Sequence, residues 1–197
     1  NYTFTVSTNY GLDLDETNDK LSFTGQLTIL VYEENDWDGW SIMCEDECSD
    51  AWELINGTWN TGNDFQKETY NGNDNSIVSP VFDLSSAHGA YIILEHSYGF
   101  SPYDGGRIEI CVSADFYCTP ITALDGVGYN GEINDYAYYG NPIRGSEGFI
   151  NSNAGTTIIK LDEEDVPEAY IGHVSFKFRM GGSFHEETFS SWTIYSF

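Results

Sequence analysis

The sequence has few positive charges. Only seven Lys and Arg residues oppose 32 Asp and Glu residues in a chain of 197, which gives a formal net charge of −25. Proteins that bind nucleic acid need clustered cations to hold the phosphate backbone, so we expect no nucleic-acid partner. The negative field also repels anionic lipid and attracts divalent cations.

The sequence also lacks a long apolar segment. No run approaches the roughly 20 residues that a membrane-spanning helix needs, so we expect no insertion into a bilayer. The chain begins at Asn1 with neither an initiator Met nor a signal peptide. We therefore expect a processed, mature protein.

Cysteine is scarce, with four residues in two close pairs. Four cysteines allow three pairings, and the sequence does not choose among them. We favour local pairing of Cys44 with Cys48 and of Cys111 with Cys118, because turn-like residues lie within each pair. Zinc is the competing interpretation, but neither spacing is that of a two-residue knuckle and no His is adjacent. Disulfides would indicate an oxidising, extracellular or cell-surface location.

Two sequons are compatible with glycosylation in a secreted protein. They are Asn1-Tyr2-Thr3 and Asn56-Gly57-Thr58, which make Asn1 and Asn56 the candidate acceptors. Such triplets also arise by chance in a chain as rich in Asn as this one. Glycosylation at these two residues is therefore an open hypothesis.

What the sequence does contain is short apolar segments that alternate with polar residues. Aromatic residues make up 16% of the chain, and Gly, Asn, Asp and Ser separate the segments, as is typical of sandwiches. We predict an all-β, two-sheet antiparallel sandwich, in which Val174, Phe176, Phe178 and Met180 face the core. The predicted strands are Tyr2–Thr8, Leu21–Tyr32, Trp40–Met43, Trp52–Ile55, Ser76–Phe82, Tyr91–Tyr98, Arg107–Val112, Thr156–Leu161, Val174–Met180 and Trp192–Phe197.

The first predicted strand alternates strictly, with Tyr2, Phe4 and Val6 on one face and small polar residues on the other. A mostly polar segment, Asn9–Lys20, separates it from the next strand. Two interpretations are open. The strand adds an edge to a sheet of its own chain, or it enters a neighbouring subunit and completes that subunit's sheet, as in donor-strand exchange.

From about residue 35 to the end, a series of sequence pieces follows one order along the chain. The pieces are Asp38-Gly39-Trp40, Trp52-Glu53-Leu54, Ser79-Pro80-Val81-Phe82-Asp83-Leu84-Ser85, Tyr91-Ile92-Ile93-Leu94-Glu95-His96, Tyr103-Asp104-Gly105-Gly106-Arg107-Ile108-Glu109-Ile110, Ile159-Lys160-Leu161-Asp162, Val174-Ser175-Phe176-Lys177-Phe178-Arg179 and Trp192-Thr193-Ile194. In these pieces and their order the chain resembles the MAM-like jelly rolls, such as the modules of bacterial immune inhibitor A-type metalloproteases and of cell-surface proteins. The resemblance implies a jelly-roll domain at 35–197 with a role in adhesion or binding, preceded by an N-terminal extension at 1–34 joined to the same sandwich. The chain departs from the family at Trp192-Thr193-Ile194-Tyr195-Ser196, where the usual ending is Trp-Tyr-Ile-Asp-Asp.

Two groups of oxygen-bearing side chains are candidate calcium ligands. Asn35, Asp36 and Asp38 lie close together in a predicted turn, and Asp104 and Glu109 form a second group. Calcium takes six to eight oxygens in flexible geometry, so calcium is the one cofactor that we consider. The alternative is that Asp and Asn form the turns through their own side-chain hydrogen bonds.

Aromatic residues in Gly-rich loops are candidates for a binding surface. Tyr136, Tyr138 and Tyr139 offer large contact area at little entropic cost, for surface glycans or for proteins. The alternative for the tryptophans among the candidates is that they fill the ends of the sandwich core. The other aromatic candidates are Trp37, Trp40, Trp59 and Tyr70.

We find no catalytic motif and predict a protein that is not an enzyme. His185-Glu186-Glu187 resembles the start of a zinc-protease motif, but Phe189 stands where the second His belongs. Gly181-Gly182-Ser183 is not followed by the Gly of a nucleophile elbow. The favoured function is a subunit of an extracellular filament or surface layer that binds copies of itself by strand exchange. The alternative is a secreted adhesive or glycan- or protein-binding module.

Overall fold

The computed structural model describes residues 2–7, 20–25, 37–44, 52–61, 73–84, 90–112, 117–122, 124–134, 140–161, 173–183 and 190–197. Contacts between Cα atoms divide the chain into two compact units, Asn1–Tyr32 and Glu33–Phe197. In the first unit, β1 (Tyr2–Ser7) and β2 (Lys20–Gly25) form a two-stranded antiparallel sheet of their own. Tyr2 lies opposite Gly25, and Ser7 lies opposite Lys20.

The second unit contains the remaining strands, and the residues described include no helix that is long and apolar enough to cross a membrane. The strands are β3 (Ser41–Cys44), β4 (Trp52–Ile55), β5 (Thr58–Thr61), β6 (Asn73–Val78), β7 (Phe82–Asp83), β8 (Ala90–Gly99), β9 (Gly105–Val112), β10 (Tyr117–Pro120), β11 (Leu124–Gly126), β12 (Gly131–Glu132), β13 (Glu147–Gly148), β14 (Ser152–Leu161), β15 (His173–Gly182) and β16 (Ser191–Ser196).

Two six-stranded antiparallel sheets form the sandwich. Sheet I has the order β10-β9-β15-β6-β3, with β7 also paired to β15, and sheet II has the order β11-β14-β8-β16-β5-β4. β12 and β13 form a small separate pair. The predicted all-β antiparallel sandwich is thus confirmed, with a jelly-roll-like architecture.

The core lies between the inner faces of the two sheets. Alternation along β15 buries Val174, Phe176, Phe178 and Met180, as the period of two predicts. From sheet II, Trp192 packs edge-to-face against Phe178 with ring centroids 6.1 Å apart. The buried core further includes Trp52, Trp59, Ile77, Leu94, Tyr98, Phe100, Ile108, Ile110, Ile121, Phe149, Ile159, Leu161 and Ile194.

One predicted strand, Ser76–Phe82, is interrupted in the structure. β6 ends at Val78 and β7 begins at Phe82, although both pair with β15. Pro80 has no N–H to donate to a ladder, and the Ser79 hydroxyl accepts the N–H of Phe176 at 2.8 Å. The side chain of Ser79 therefore satisfies a β15 donor at the position where the ladder is broken.

The structure also contains strands that the sequence analysis did not predict. β5 follows β4 through a two-residue turn in which Asn56 has φ 52° and Gly57 has φ 80°, as in a type I′ hairpin. Short strands β10 to β13 lie in or next to the Gly- and Tyr-rich segment 119–153, and β14 begins at Ser152, four residues before the predicted start.

Candidate functional site

One side of the sandwich is open between the edge strands β3 and β4. Ile42 lies opposite the fully buried Ile77, and Leu54 lies opposite the buried Trp59. Residues directly opposite each other share a face of the sheet, so Ile42 and Leu54 are at core-facing positions. They are nevertheless 42% and 48% exposed. Among the described residues, the apolar interior is therefore incompletely covered along this side.

The strands at the ends of the two sheet orders, β10, β3, β11 and β4, differ in how they are protected against pairing with another chain. Natural edges carry charges or proline, or are kept very short, to prevent added strands. β10 ends in Pro120, β11 is three residues long and contains Asp125, and β4 carries the exposed Glu53. β3 (Ser41-Ile42-Met43-Cys44) has no charge and no proline. Among the described strands at the ends of the two six-stranded sheets, it is the one without these protective features.

The candidate assembly residues Tyr2, Phe4 and Val6 lie on β1, whose partner is β2. Phe4 lies opposite Phe23, and Val6 lies opposite Leu21. An isolated two-stranded hairpin is marginally stable in water. The other edge of β1 is unpaired within the part of the chain that the structure describes.

The candidate calcium ligand Glu109 is the centre of an ion-pair cluster on the outer face of sheet I. Its carboxylate is only 2% exposed, and one oxygen lies 2.5 Å from Arg107 Nη2 and 3.3 Å from Arg179 Nη1. Lys177 Nζ lies 3.7 Å from the other oxygen. Arg179 also binds Asp74, and this hydrogen bond raises the pKa of the guanidinium above its ordinary value. Three of the seven Lys and Arg residues in the chain are gathered here.

The other member of the predicted pair, Asp104, has different partners. One of its oxygens accepts the backbone N–H of Ser183 at 2.6 Å, and the other accepts the hydroxyls of Ser101 and Ser190 at 2.7 and 2.6 Å. Ser183 follows β15 and Ser190 precedes β16. The buried carboxylate therefore joins the ends of these two strands to the turn before β9. The structure does not bring Asp104 and Glu109 together in one ligand set.

The turn at Asp38 and Gly39, which contains one of the first calcium candidates, is anchored by aromatic packing. Asp38 is exposed between Trp37 and Trp40, whose ring centroids are 5.1 Å apart. Trp37 Nε1 donates to the carbonyl of Gly57 at 2.9 Å, and Trp40 stacks on Phe178 in the core. Among the residues described, no group of three or more His, Cys, Asp or Glu side chains converges.

His96 is a buried polar residue that the sequence analysis did not single out. It is 1% exposed, and Trp192 Nε1 donates to its Nδ1 at 2.9 Å. Its Nε2 therefore carries the proton and donates to Thr157 Oγ1 at 2.8 Å. The Thr157 hydroxyl in turn donates to the carbonyl of Val127. Burial lowers the pKa of His96 from 6.5 to about 4, because the charged form loses its hydration.

Two of the predicted covalent features lie on described residues. Cys111 and Cys118 form a disulfide between directly opposed positions of β9 and β10. Asn56, the second sequon, lies exposed at the tip of the β4–β5 hairpin. Thr58 of the same sequon donates its hydroxyl to the carbonyl of Ile55 at 2.9 Å.

Several aromatic side chains predicted as a platform belong to the core. Trp59 is 7% exposed, and Trp37 packs edge-to-face against it with centroids 6.4 Å apart. Trp40 is half-buried against Phe197. These tryptophans therefore close one part of the interior and do not present a flat surface to solvent.

A different apolar surface lies on the outer face of sheet II. Tyr91 is 70% exposed, and Ile93, two residues along β8, is also exposed and lies opposite Ile158 of β14. On the neighbouring β16, the exposed Tyr195 shares a 2.7 Å hydrogen bond with Ser97. No pattern in the sequence separated this face from the core-facing one, because the first half of β8, Tyr91–Leu94, is apolar on both.

The remaining predicted site residues lie outside the residues whose side chains are described. They are Asn1, Asn35, Asp36, Cys44, Cys48, Tyr70, Tyr136, Tyr138 and Tyr139.

No protein-family model matches the chain, and no curated protein matches it significantly. The resemblance to the MAM-like jelly rolls therefore stays a prediction that rests on the sequence pieces given above. The fold and the site geometry are the basis for the function that we propose.

Proposed function

We propose that the protein is a non-catalytic structural subunit that binds copies of itself through its N-terminal strand, in an extracellular filament or surface layer. The observation that carries the proposal is the position of β1 in a two-stranded sheet, in a unit separate from the sandwich. A strand with an unpaired edge and an apolar alternation is suited to strand addition, in which main-chain hydrogen bonds provide affinity and alternate side chains provide specificity.

A head-to-tail contact of this kind need not close on itself, and an unclosed contact produces filaments. The Cys111–Cys118 disulfide supports an oxidising, extracellular location. The buried polar groups support a structural role, because the hydrogen bonds of His96 and Asp104 are used within the fold.

The experiment is to delete residues 1–9 and to compare the deletion with the full chain by sedimentation and negative-stain electron microscopy. The full chain is expected to form particles of high order, and the deletion a soluble monomer. A matched pair of variants makes the test sharper. Phe4→Asn changes the apolar face of β1 and is expected to prevent assembly, whereas Thr5→Asn changes the other face without adding a charge and is expected to retain it. Polymers that persist after the deletion would rule out strand exchange.

The exposed face with Tyr91 and Tyr195 favours a second candidate function, an adhesive or glycan- or protein-binding module. Tyrosines present rigid area at low entropic cost. This candidate predicts a monomer whose binding to a polysaccharide or protein array is lost in Tyr91→Ala. If the Tyr91→Ala protein binds the array as strongly as the full chain does, this surface is not the binding site.

Calcium remains a proposal for the turn that contains Asp38. A cation that binds only the folded chain raises the melting temperature. We expect a higher melting temperature in calcium than in a chelator, and equal values would contradict the proposal.

A further inference from the structure

We propose that β3 is the edge that accepts the donor strand, and that its occupant is β1 of a second copy of this chain. This inference rests on the proposed function and names the partner surface for it. β1 would extend sheet I beside β3 and would cover the open side between β3 and β4.

The described residues leave the interior incomplete at this side. Ile42 and Leu54 are at core-facing positions, one from each sheet, yet close to half of each residue is exposed. A strand added next to β3 would place every second side chain over this side. The apolar residues at alternate positions of β1, Tyr2, Phe4 and Val6, match that requirement in spacing.

The edge strands of the two six-stranded sheets are unequally protected against an added strand. An added strand at β4 would meet the exposed Glu53, one at β10 would meet Pro120, and β11 offers only three residues. β3 has none of these features. Among the described strands at the ends of the two six-stranded sheets, strand addition is therefore favoured at β3.

The absence of charge on both β1 and β3 also favours their pairing. In a chain with a net charge of −25, contacts between copies are opposed by repulsion. Residues 1–12 contain no charged side chain, since Asp13 is the first, and β3 is also uncharged. The donor strand β1 and the acceptor strand β3 can therefore pair without placing the carboxylates of one strand next to those of the other.

Unsatisfied polar groups lie in the same part of sheet II. The indole N–H groups of Trp52 and Trp59, on β4 and β5, are buried without a hydrogen-bond partner among the described residues. Most buried polar groups in folded proteins are paired. This part of the single chain therefore has hydrogen-bonding capacity that its own described residues leave unused.

The test uses the full chain with Phe4→p-benzoylphenylalanine, assembled from a mixture of ¹⁴N- and ¹⁵N-labelled protein and then irradiated. Mass spectrometry identifies inter-chain crosslinks from their mixed isotopes. We expect them at residues 37–44 and 52–55. Inter-chain crosslinks at 117–126 would refute β3 as the acceptor and leave strand exchange intact. Crosslinks confined within single chains, or none, would refute strand exchange itself.

A pair of substitutions provides an independent readout. Ile42→Lys places a charge on the acceptor edge at a position that is already exposed, so the fold is expected to persist in circular dichroism. The concentration needed for assembly is expected to rise at least about tenfold. Ile93→Lys, at an exposed apolar position on the outer face of sheet II, is the matched control and is expected to assemble normally. Equal effects of the two variants would overturn the assignment of β3.

Discussion

The buried His96 makes the stability of the sandwich dependent on pH in a range where most carboxylates are already ionised. Its pKa is 6.5 in the unfolded chain and about 4 in the folded protein, because burial disfavours the charged form. The unfolded chain therefore binds a proton before the folded protein does as the pH falls. The stabilisation is complete above pH 6.5 and is lost progressively as the pH falls from 6.5 toward 4.

The magnitude follows from the two pKa values. One pKa unit corresponds to about 1.4 kcal/mol, so the free energy of unfolding is expected to fall by about 2 kcal/mol between about pH 7.5 and 5.0. The measurement is urea unfolding at several pH values, followed by tryptophan fluorescence. All five tryptophans lie in the unit Glu33–Phe197, so the signal reports the sandwich alone.

The informative variant is His96→Asn, which keeps an acceptor near Trp192 and removes the titrating group. It is expected to be less stable than the wild type at pH 7.5 but to lack the 2 kcal/mol decrease toward about pH 5. His173→Gln, at an exposed position at the start of β15, is the control and is expected to keep the decrease. A His96→Asn protein that loses stability as steeply as the wild type would refute the argument.

Three further predictions concern stability and are measured by chemical unfolding. Glu109→Ala is expected to cost about 3 kcal/mol, because it removes the carboxylate that Arg107, Lys177 and Arg179 share and leaves Arg179 with Asp74 alone. A cost below about 1 kcal/mol would contradict the cluster's importance. Asn56→Ala places an alanine at φ 52° and is expected to lower the free energy of unfolding by about 1 kcal/mol, whereas Asn56→Gly is expected to be nearly neutral. Equal losses in the two variants would contradict the left-handed conformation of Asn56 in this turn. Gly106→Ala would place a Cβ 2.6 Å from the Trp192 ring and is expected to cost about 2 kcal/mol. Gly99→Ala meets nothing closer than 4.0 Å and is expected to change stability by less than about 0.5 kcal/mol, so similar losses in the two variants would contradict the packing argument.

Local patterns predicted much of the fold. The alternation in Val174–Met180 predicted the buried face of β15 correctly, because the period of a strand assigns each residue to one of two faces. The β4–β5 hairpin was missed although its signal is present: Asn56-Gly57 is a strong short-range indication of a type I′ turn. The break after Val78 also has a local cause in Pro80.

The partners of the buried polar groups were not predictable in this way. Asp104 and Glu109 are five residues apart and looked like one calcium group, but one binds serines at the ends of β15 and β16, and the other binds arginines on β9 and β15. Arg107 is a local partner, but Ser183, Ser190 and Arg179 come from strands that are distant in sequence. Only the strand order and register bring them together.

The sequence by itself determined that this chain forms an all-β sandwich, which residues of its most regular strands face the core, and that its N-terminal strand has an apolar and a polar face. The tertiary structure alone decided that Ile42 and Leu54, at core-facing positions, remain exposed, and that His96 is buried against Trp192. The reason is that a strand's period assigns a side chain to a face, whereas burial depends on which other strands cover that face. The open side at β3 follows from that coverage.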